Sequence, residues 1–510
     1  MAFSSSLDVL LGIDIGTGSI KIALWDKNGT LLSIEKKSHG IVTPKPGWAE
    51  IPLEEVWENI LEKIKETARN ASQVMRRVRG IGISCLCPGL TPLSEDGTSL
   101  ASSIIYMDTR SLEEKEEIRL KIDEKKLFAT TGNILMPGTM SLTSMLWFRN
   151  KKPFLHQRTA VYGHINTFIG KKLTGHFGID PSNASYTGLF ETGGRKQWSK
   201  EIIQCVGIDE KKLPRVISSW EPVGYLQNRD FISAGVPEGI PVAMGGSDTA
   251  CSALASGIVD NLQVFESSGT SNVITVCMDS PTFDHRFMNR CHVIPERWLS
   301  HGAMSFTGAS LKWLRDEIFE IQNDEQYEYL ASLVERTIPN EPCPVFLPYM
   351  AGERSPVWDP LARGVLFGLS LTTRKEQIVR AMFESIAFGS RQLFEIIEEQ
   401  TNQRIDSFLS VGGWAAIDPL NQIKADITHK TIHAVEQTET AAIGAAILGG
   451  IAAGVYRDFS HALELTPRLI RKSYKPSLQN LKEYENRYMI YKSLYHRLKD
   501  LFPLAAQYTR

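Results

Sequence analysis

Apolar residues run almost without a break from Val9 to Ile15, and two further strand patterns follow over residues 20–25 and 31–37. A near-continuous apolar run of this length predicts a strand buried on both faces. Three strand patterns in quick succession predict a β-meander. Asn28-Gly29 supplies the turn between the second and third strands, because both positions of a two-residue hairpin turn take positive φ. The period then changes. Leu53, Val56, Trp57, Ile60, Leu61 and Ile64 recur at helical spacing just after Pro52, which predicts an amphipathic helix. Another strand is predicted over residues 78–84. Strands, helix and strand in that order place the chain in the mixed α/β class.

The second half repeats this coarsely. Strands are predicted over residues 263–267 and 272–277, on either side of Gly269-Thr270. A long helical pattern covers residues 374–399. A strand over residues 405–411 ends in Gly412-Gly413, and helical patterns follow at 419–428 and 440–453. A chain of 510 residues exceeds what one hydrophobic core serves. A strand–turn–strand unit in each half predicts two related domains, residues 1–257 and 258–510, flanking a cleft.

Composition narrows the partners. Apolar residues make up 42% and charged residues 22%, ordinary for a globular chain, and the net charge is −2. Nothing in that balance recommends nucleic acid or an anionic membrane. The one basic cluster, Arg76-Arg77-Val78-Arg79, reads as a solvated helix end. The seven cysteines are odd in number and lack a Cys-x-x-Cys spacing, so neither a disulfide framework nor a structural zinc site is expected. With no signal-peptide pattern at residues 1–6 and no apolar run long enough for a bilayer, a cytoplasmic location is expected.

Three small-residue turns at strand ends carry the candidate chemistry. The first is Asp14 with Gly16, Thr17, Gly18 and Ser19. Glycines let backbone N–H groups approach a phosphate, hydroxyls add donors, and a carboxylate can hold Mg²⁺ through water. The same residues also suit an ordinary hairpin turn. The second is Gly269-Thr270-Ser271, with the same two readings. The third is Gly245-Gly246-Ser247-Asp248, which follows an apolar run over 240–244 and precedes a helical run of small residues. Asp248 there is either a helix N-cap or a general base that takes a hydroxyl proton in phosphoryl transfer. Gly-x-x-x-x-Gly-Lys-Ser/Thr is absent, as is Gly-x-Gly-x-x-Gly at the first strand. Gly412-Gly413 suits either a simple turn or the approach of a flat ring. Asp108 and Arg110 form either a surface salt bridge or a grip on polyol hydroxyls. His164 and Asn166 are structural partners or a lining of the same pocket.

Taken together, these features and one further stretch resemble the FGGY carbohydrate kinases, the family of xylulokinase, gluconokinase and glycerol kinase, over nearly the whole chain. The stretch is Gly364-Val365-Leu366-Phe367-Gly368-Leu369, then Gln377-Ile378 and Ala381-Met382-Phe383-Glu384, which looks like the family's C-terminal signature. Also similar are Pro46-Gly47-Trp48-Ala49-Glu50, Gly352-Glu353-Arg354-Ser355-Pro356, Gly444-Ala445-Ala446 and the tyrosine-spaced residues 484–495. The resemblance implies two actin-like, ribonuclease-H-like domains, with sugar mainly on the first and ATP mainly on the second. It implies Asp248 as the catalytic base and as a sugar contact. It implies Asp14 at the Mg²⁺ and phosphate position, Gly16, Thr17 and Ser19 around it, and Gly269 and Thr270 as the second phosphate turn. Gly308 and Lys312 match nucleotide contacts, and Gly412 and Gly413 the adenosine site.

Departures from the pattern bear on the acceptor. Cys87-Pro88 stands where xylulokinases carry Met-His, and the Arg-Glu pair of glycerol kinases is missing from the same neighbourhood. Ile417 replaces an adenosine-site Asn of glycerol kinases, which implies a more apolar base pocket. Asp108 and Arg110 fit kinases of longer sugars. The expected reaction is ATP-dependent phosphorylation of a terminal hydroxyl on a xylulose-like ketopentose or related sugar. Gluconate, glycerol or another polyol is the alternative acceptor. A non-catalytic sugar or nucleotide sensor, or an actin-like assembly protein, is the alternative of another class. A homodimer is implied by the resemblance alone.

Overall fold

A computed structural model describes residues 8–269, 271–320, 326–436, 439–466, 468–477, 479 and 481–508. The chain divides into two compact units. The first comprises Met1–Val259, Met278–Leu299 and Glu439–Pro467, and the second Asp260–Cys277, Ser300–Thr438 and Arg468–Arg510. The break after Val259 lies beside the boundary expected at 257, but two later segments return to the first unit. The reason is visible for one of them. The helix Thr440–Ala452 is apolar on nearly every side and needs burial all round. A Cβ on Gly82 would stand 1.7 Å from Ala445 O, and one on Gly444 would stand 2.0 Å from Cys251 O. Glycine therefore seats this helix backbone to backbone against the strand Val78–Cys85 on one side and the helix Asp248–Ala255 on the other.

The main sheet of the first unit runs in the order Leu31–Ser38, Ser19–Asp26, Val9–Ile15, Val78–Cys85, Pro241–Ala243, Pro222–Tyr225, with the short strand Gly246–Ser247 also on Val78–Cys85. The meander strands pair antiparallel, and Val9–Ile15 pairs parallel with Val78–Cys85. Val9–Ile15 is buried along its whole length because both of its faces are covered. Leu11, Ile13 and Ile15 pack with Val56, Trp57 and Ile60 of the helix Leu53–Met75. Gly12, on the opposite face by strand alternation, meets Ala442 of the helix Thr440–Ala452. One turn differs from expectation. Only Gly29 takes positive φ, at 80°. Asp26 Oδ1 accepts from the N–H groups of Asn28 and Thr30, both at 2.9 Å, so a side chain organises this turn in place of two left-handed residues.

The second unit repeats the arrangement. Val264–Ser268 pairs antiparallel with Asn272–Met278 and parallel with Ser407–Val411, which continues to Thr431–Val435 and Ile470–Tyr474. The helices Lys375–Thr401, Asp418–Thr428 and Leu481–Leu498 pack together through Phe383, Phe388, Ile423, Tyr488 and Tyr491. Beneath them Glu266 and Lys424 form a fully buried ion pair, and Ser410 Oγ adds a 2.9 Å bond to Glu266. Each unit thus has an antiparallel pair whose first strand joins a parallel neighbour, and each carries its small-residue turn at the end of that first strand. Among the described residues no helix is long and apolar enough to cross a membrane.

Candidate functional site

Strand register builds the surroundings of Asp14. Lys21 stands opposite it across the hairpin and Ser84 beside it on the parallel strand. Both neighbours bond it: Ser84 Oγ donates to Oδ1 at 2.8 Å and Lys21 Nζ to Oδ2 at 3.3 Å. Lys21 also reaches Glu439 at 2.9 Å, at the start of the helix Thr440–Ala452. Burial raises the Asp14 pKa above the ordinary carboxylate value, and the charge of Asp248 adds to that; Lys21 and Ser84 oppose it. The adjoining turn closes through Gly16 N–H on Ser19 O at 2.9 Å, so it is a hairpin turn in geometry. Gly16, Thr17 and Ser19 are partly exposed on it.

Asp248 is the first residue of the helix Asp248–Ala255, and it is not the cap. That task falls to Ser247, whose Oγ accepts from Ala250 N–H at 3.4 Å. Asp248 Oδ1 accepts from the N–H of Thr249 at 2.6 Å and from its hydroxyl at 3.2 Å. The side chain is half-buried, and Oδ2 has no hydrogen-bond partner among the described residues. Burial raises its pKa, while the charges of Arg290 and Lys21 and the Thr249 bonds pull the other way. A carboxylate with one oxygen fixed, one open and a raised affinity for protons can accept a proton from a substrate hydroxyl.

Cys87 and Pro88 form one wall near this turn. Cys87 Sγ lies 3.9 Å from His164 Nδ1 and 4.0 Å from Asn183 O. His164 is fully buried, its Nε2 is 2.9 Å from Ser141 Oγ, and burial lowers its pKa to about 4. Asn166 is buried too and donates to Asp180 at 2.9 Å, so both act as packing partners behind the wall. Asp108 and Arg110 are not a surface bridge. Asp108 is completely buried, accepts from Ala49 N–H at 2.7 Å, and meets Arg110 through two guanidinium nitrogens. Arg110 in turn bonds Glu50 at 2.7 Å and lies 3.7 Å over the Trp48 ring. The Arg110 side chain is only 2% exposed, so the pair is held inside a cluster with Glu50 and Trp48.

The second unit contains a cavity of about 550 Å³. Gly269, Gly308, Lys312 and Gly413, all singled out by resemblance, line it together with Tyr327, Trp414 and Ile417. Trp414 Nε1 donates to Gly269 O at 2.7 Å, and Tyr327 meets the Trp414 ring edge-on at 4.7 Å. A Cβ at Gly308 would stand 1.9 Å from Gly269 O, whereas one at Gly413 would meet open space. Gly412 holds φ at 96° with Ser268 O beneath it. Lys312 is exposed and paired with Asp316 at 2.7 Å. Thr270 lies outside the described residues.

The fold therefore brings Asp14, Gly16, Thr17, Ser19, Cys87, Pro88 and Asp248 into one unit, and the four cavity residues together in the other. Sequence reasoning missed Lys21, Ser84, Glu439 and Arg290. Lys21 carries a signal, being as far after the Gly16–Ser19 turn as Asp14 is before it. The other three have no local mark. The carboxylate–hydroxyl set at Asp14 fits a hard cation held chiefly by phosphate and water, for which one carboxylate suffices. Among the described residues no cluster of three or more His, Cys, Asp or Glu side chains forms a metal cage.

Two mixed α/β units of like topology, one with Asp14 and Asp248 at strand-end turns and the other with a cavity lined by glycines, are the arrangement of a two-domain phosphotransferase. Comparison with known proteins identifies which. Residues 9–255 match the N-terminal domain model of the FGGY family of carbohydrate kinases, and residues 265–453 match the C-terminal one. The chain belongs to that family and is an ATP-dependent sugar kinase. It is 27% identical to a gluconokinase of Bacillus subtilis over 98% of both chains, and 28% identical to a xylulose kinase of Staphylococcus xylosus over 95% of this chain and 99% of that one. The fold is shared with xylulose kinase from Rhodospirillum rubrum at a TM-score of 0.88 and 24% identity, over 97% of this chain and 99% of that one.

Proposed function

We propose that the protein transfers the γ-phosphoryl group of ATP to a terminal hydroxyl of an open-chain sugar held in the first unit against Asp248. The observation that carries this is the free Oδ2 of Asp248 beside a fixed Oδ1, in the unit that also holds Asp14. Asp248 accepts the hydroxyl proton as the oxygen attacks in line. Backbone N–H groups of the Gly16–Ser19 turn stabilise charge on the transferring group. Asp14 would hold Mg²⁺ through water, and the ion supplies charge neutralisation on the phosphates. The adenine ring occupies the second unit's cavity between Gly413 and the apolar wall of Trp414 and Ile417. The xylulose kinase relatives support a ketopentose acceptor, and the gluconokinase relative supports a sugar acid.

The test is ADP release from Mg-ATP against xylulose, ribulose, gluconate, glycerol, fructose and erythritol. One acceptor standing far above the others supports the kinase reading of the site. Silence across all of them, with ATP still bound, favours a sensor instead.

A further inference from the structure

The acceptor wall contains a cation that the phosphoryl-transfer chemistry leaves unused. Arg290 lies on the strand Met288–Cys291, whose neighbouring positions are pinned. Cys291 N–H donates to Ser185 Oγ at 3.0 Å, Asn289 N–H donates to Asn133 Oδ1 at 3.0 Å, and Asn133 Nδ2 donates to Asn289 O at 2.8 Å. Alternation along the strand turns Arg290 away from those two. Its guanidinium carbon sits 4.3 Å from the centre of the Tyr186 ring.

Tyr186 belongs to the wall already described. Its N–H bonds Asn183 O at 3.1 Å, and its carbonyl accepts from Ser141 N–H at 2.9 Å. Those are the residues that touch Cys87 and His164. On the other side, a Cβ on Gly246 would stand 2.5 Å from Val293 Cγ1, so the same segment borders the Asp248 turn. The guanidinium thus stands against Tyr186 on the segment that borders the Asp248 turn, and its charge acts on Asp248, Cys87 and His164 alike.

A ketose offers this cation only hydroxyls. A carboxylate offers two parallel oxygens that match the guanidinium fork. Arg290 is 2% exposed and is held by Tyr186, so folding has already stripped most of its water and fixed its orientation. We propose that Arg290 is the specificity-determining residue of the acceptor site, selecting a linear polyhydroxy carboxylate (an aldonate) whose carboxylate pairs with the guanidinium while its far hydroxyl reaches Asp248. This rests on the kinase reading above, with Asp248 as base.

Gluconate and glucitol test it, because they share a carbon chain and differ at one end in carboxylate against hydroxymethyl. ADP release with Mg-ATP is measured for the full chain as wild type, R290Q and R290K. The expected wild-type kcat/KM favours gluconate by at least about tenfold, the weight of one charge-assisted contact. That ratio collapses in R290Q, mainly through KM, and is partly kept in R290K. A wild type that uses glucitol or xylulose as well as gluconate overturns the inference and leaves the kinase reading standing. An unchanged ratio in R290Q, with both acceptors equally impaired, overturns it by assigning Arg290 to packing. No transfer to any acceptor overturns the kinase reading, and the inference falls with it. If R290Q does not fold, the wild-type and R290K ratios decide the matter.

Discussion

Asp248→Asn separates the chemistry of this site from its architecture. Asparagine keeps an oxygen at Oδ1, so the Thr249 N–H and hydroxyl bonds at 2.6 and 3.2 Å survive. The helix keeps its cap, because Ser247 supplies it. Only the charge and the basic Oδ2 are lost. A positioned general base contributes roughly 10²- to 10⁴-fold, so kcat should fall by that factor, or about 3–5 kcal/mol in the barrier. Stability should move the other way. Burial raises the Asp248 pKa, so the folded state disfavours the ionised form. A raised carboxyl contributes stability that is fully present below its unfolded pKa and lost as pH rises through the folded one. At neutral pH the charge is therefore a cost, and D248N should melt at or above the wild-type temperature. The assays are coupled ADP release at saturating gluconate and xylulose, ATP affinity by titration, and thermal melting. A kcat within about tenfold of wild type would refute the base assignment. A large fall in melting temperature would refute the claim that the fold does not depend on this carboxylate.

Three more outcomes are expected. Asp14→Asn should raise the Mg²⁺ concentration that half-saturates kcat, and an unchanged Mg²⁺ titration would contradict a role for Asp14 in holding the ion. Gly413→Val fills the open space at that position of the second unit's cavity, so KM for ATP should rise about tenfold or more while the melting temperature barely moves; an unaltered ATP KM would place the nucleotide elsewhere. Glu353 is buried, its Oε1 accepts from the N–H groups of Ser305 and Arg354 at 2.7 and 2.8 Å, and burial lifts its pKa from 4.5 to about 7. Its contribution to stability should be complete below pH 4.5 and fade as pH rises to about 7, so Glu353→Gln should flatten the melting-temperature profile in that window; a profile as steep as wild type would show that Glu353 does not titrate there.

Much of this protein is legible in one dimension. Apolar runs located the meander, and helical spacing located the start of the helix after Pro52 and both ends of the long helix Lys375–Thr401 to within two residues, because those elements bury faces whose spacing the chain itself repeats. The three glycine-flanked turns are equally local, since a backbone that must bend sharply or admit a phosphate needs small residues in sequence. Lys21 could have been read from hairpin register alone.

Other features arise from contacts across long stretches of chain, which no local pattern encodes. Glu439 reaches Lys21 only because glycines at 82 and 444 let an apolar helix settle against a distant strand and helix. Asp108 and Arg110, read as either a surface salt bridge or a grip on polyol hydroxyls, are buried, since Trp48, Glu50 and the Ala49 N–H close over them. Glu266 and Lys424, 158 positions apart, became a buried ion pair in the second unit's core. Arg290 stands in an unremarkable polar stretch and acquires its place beside Asp248 through Asn133, Ser185 and Tyr186. Periodicity settles which face of an element is apolar. Which charged groups then meet is settled when those faces pack, because an ion is tolerated inside a protein only where a partner has been carried to it.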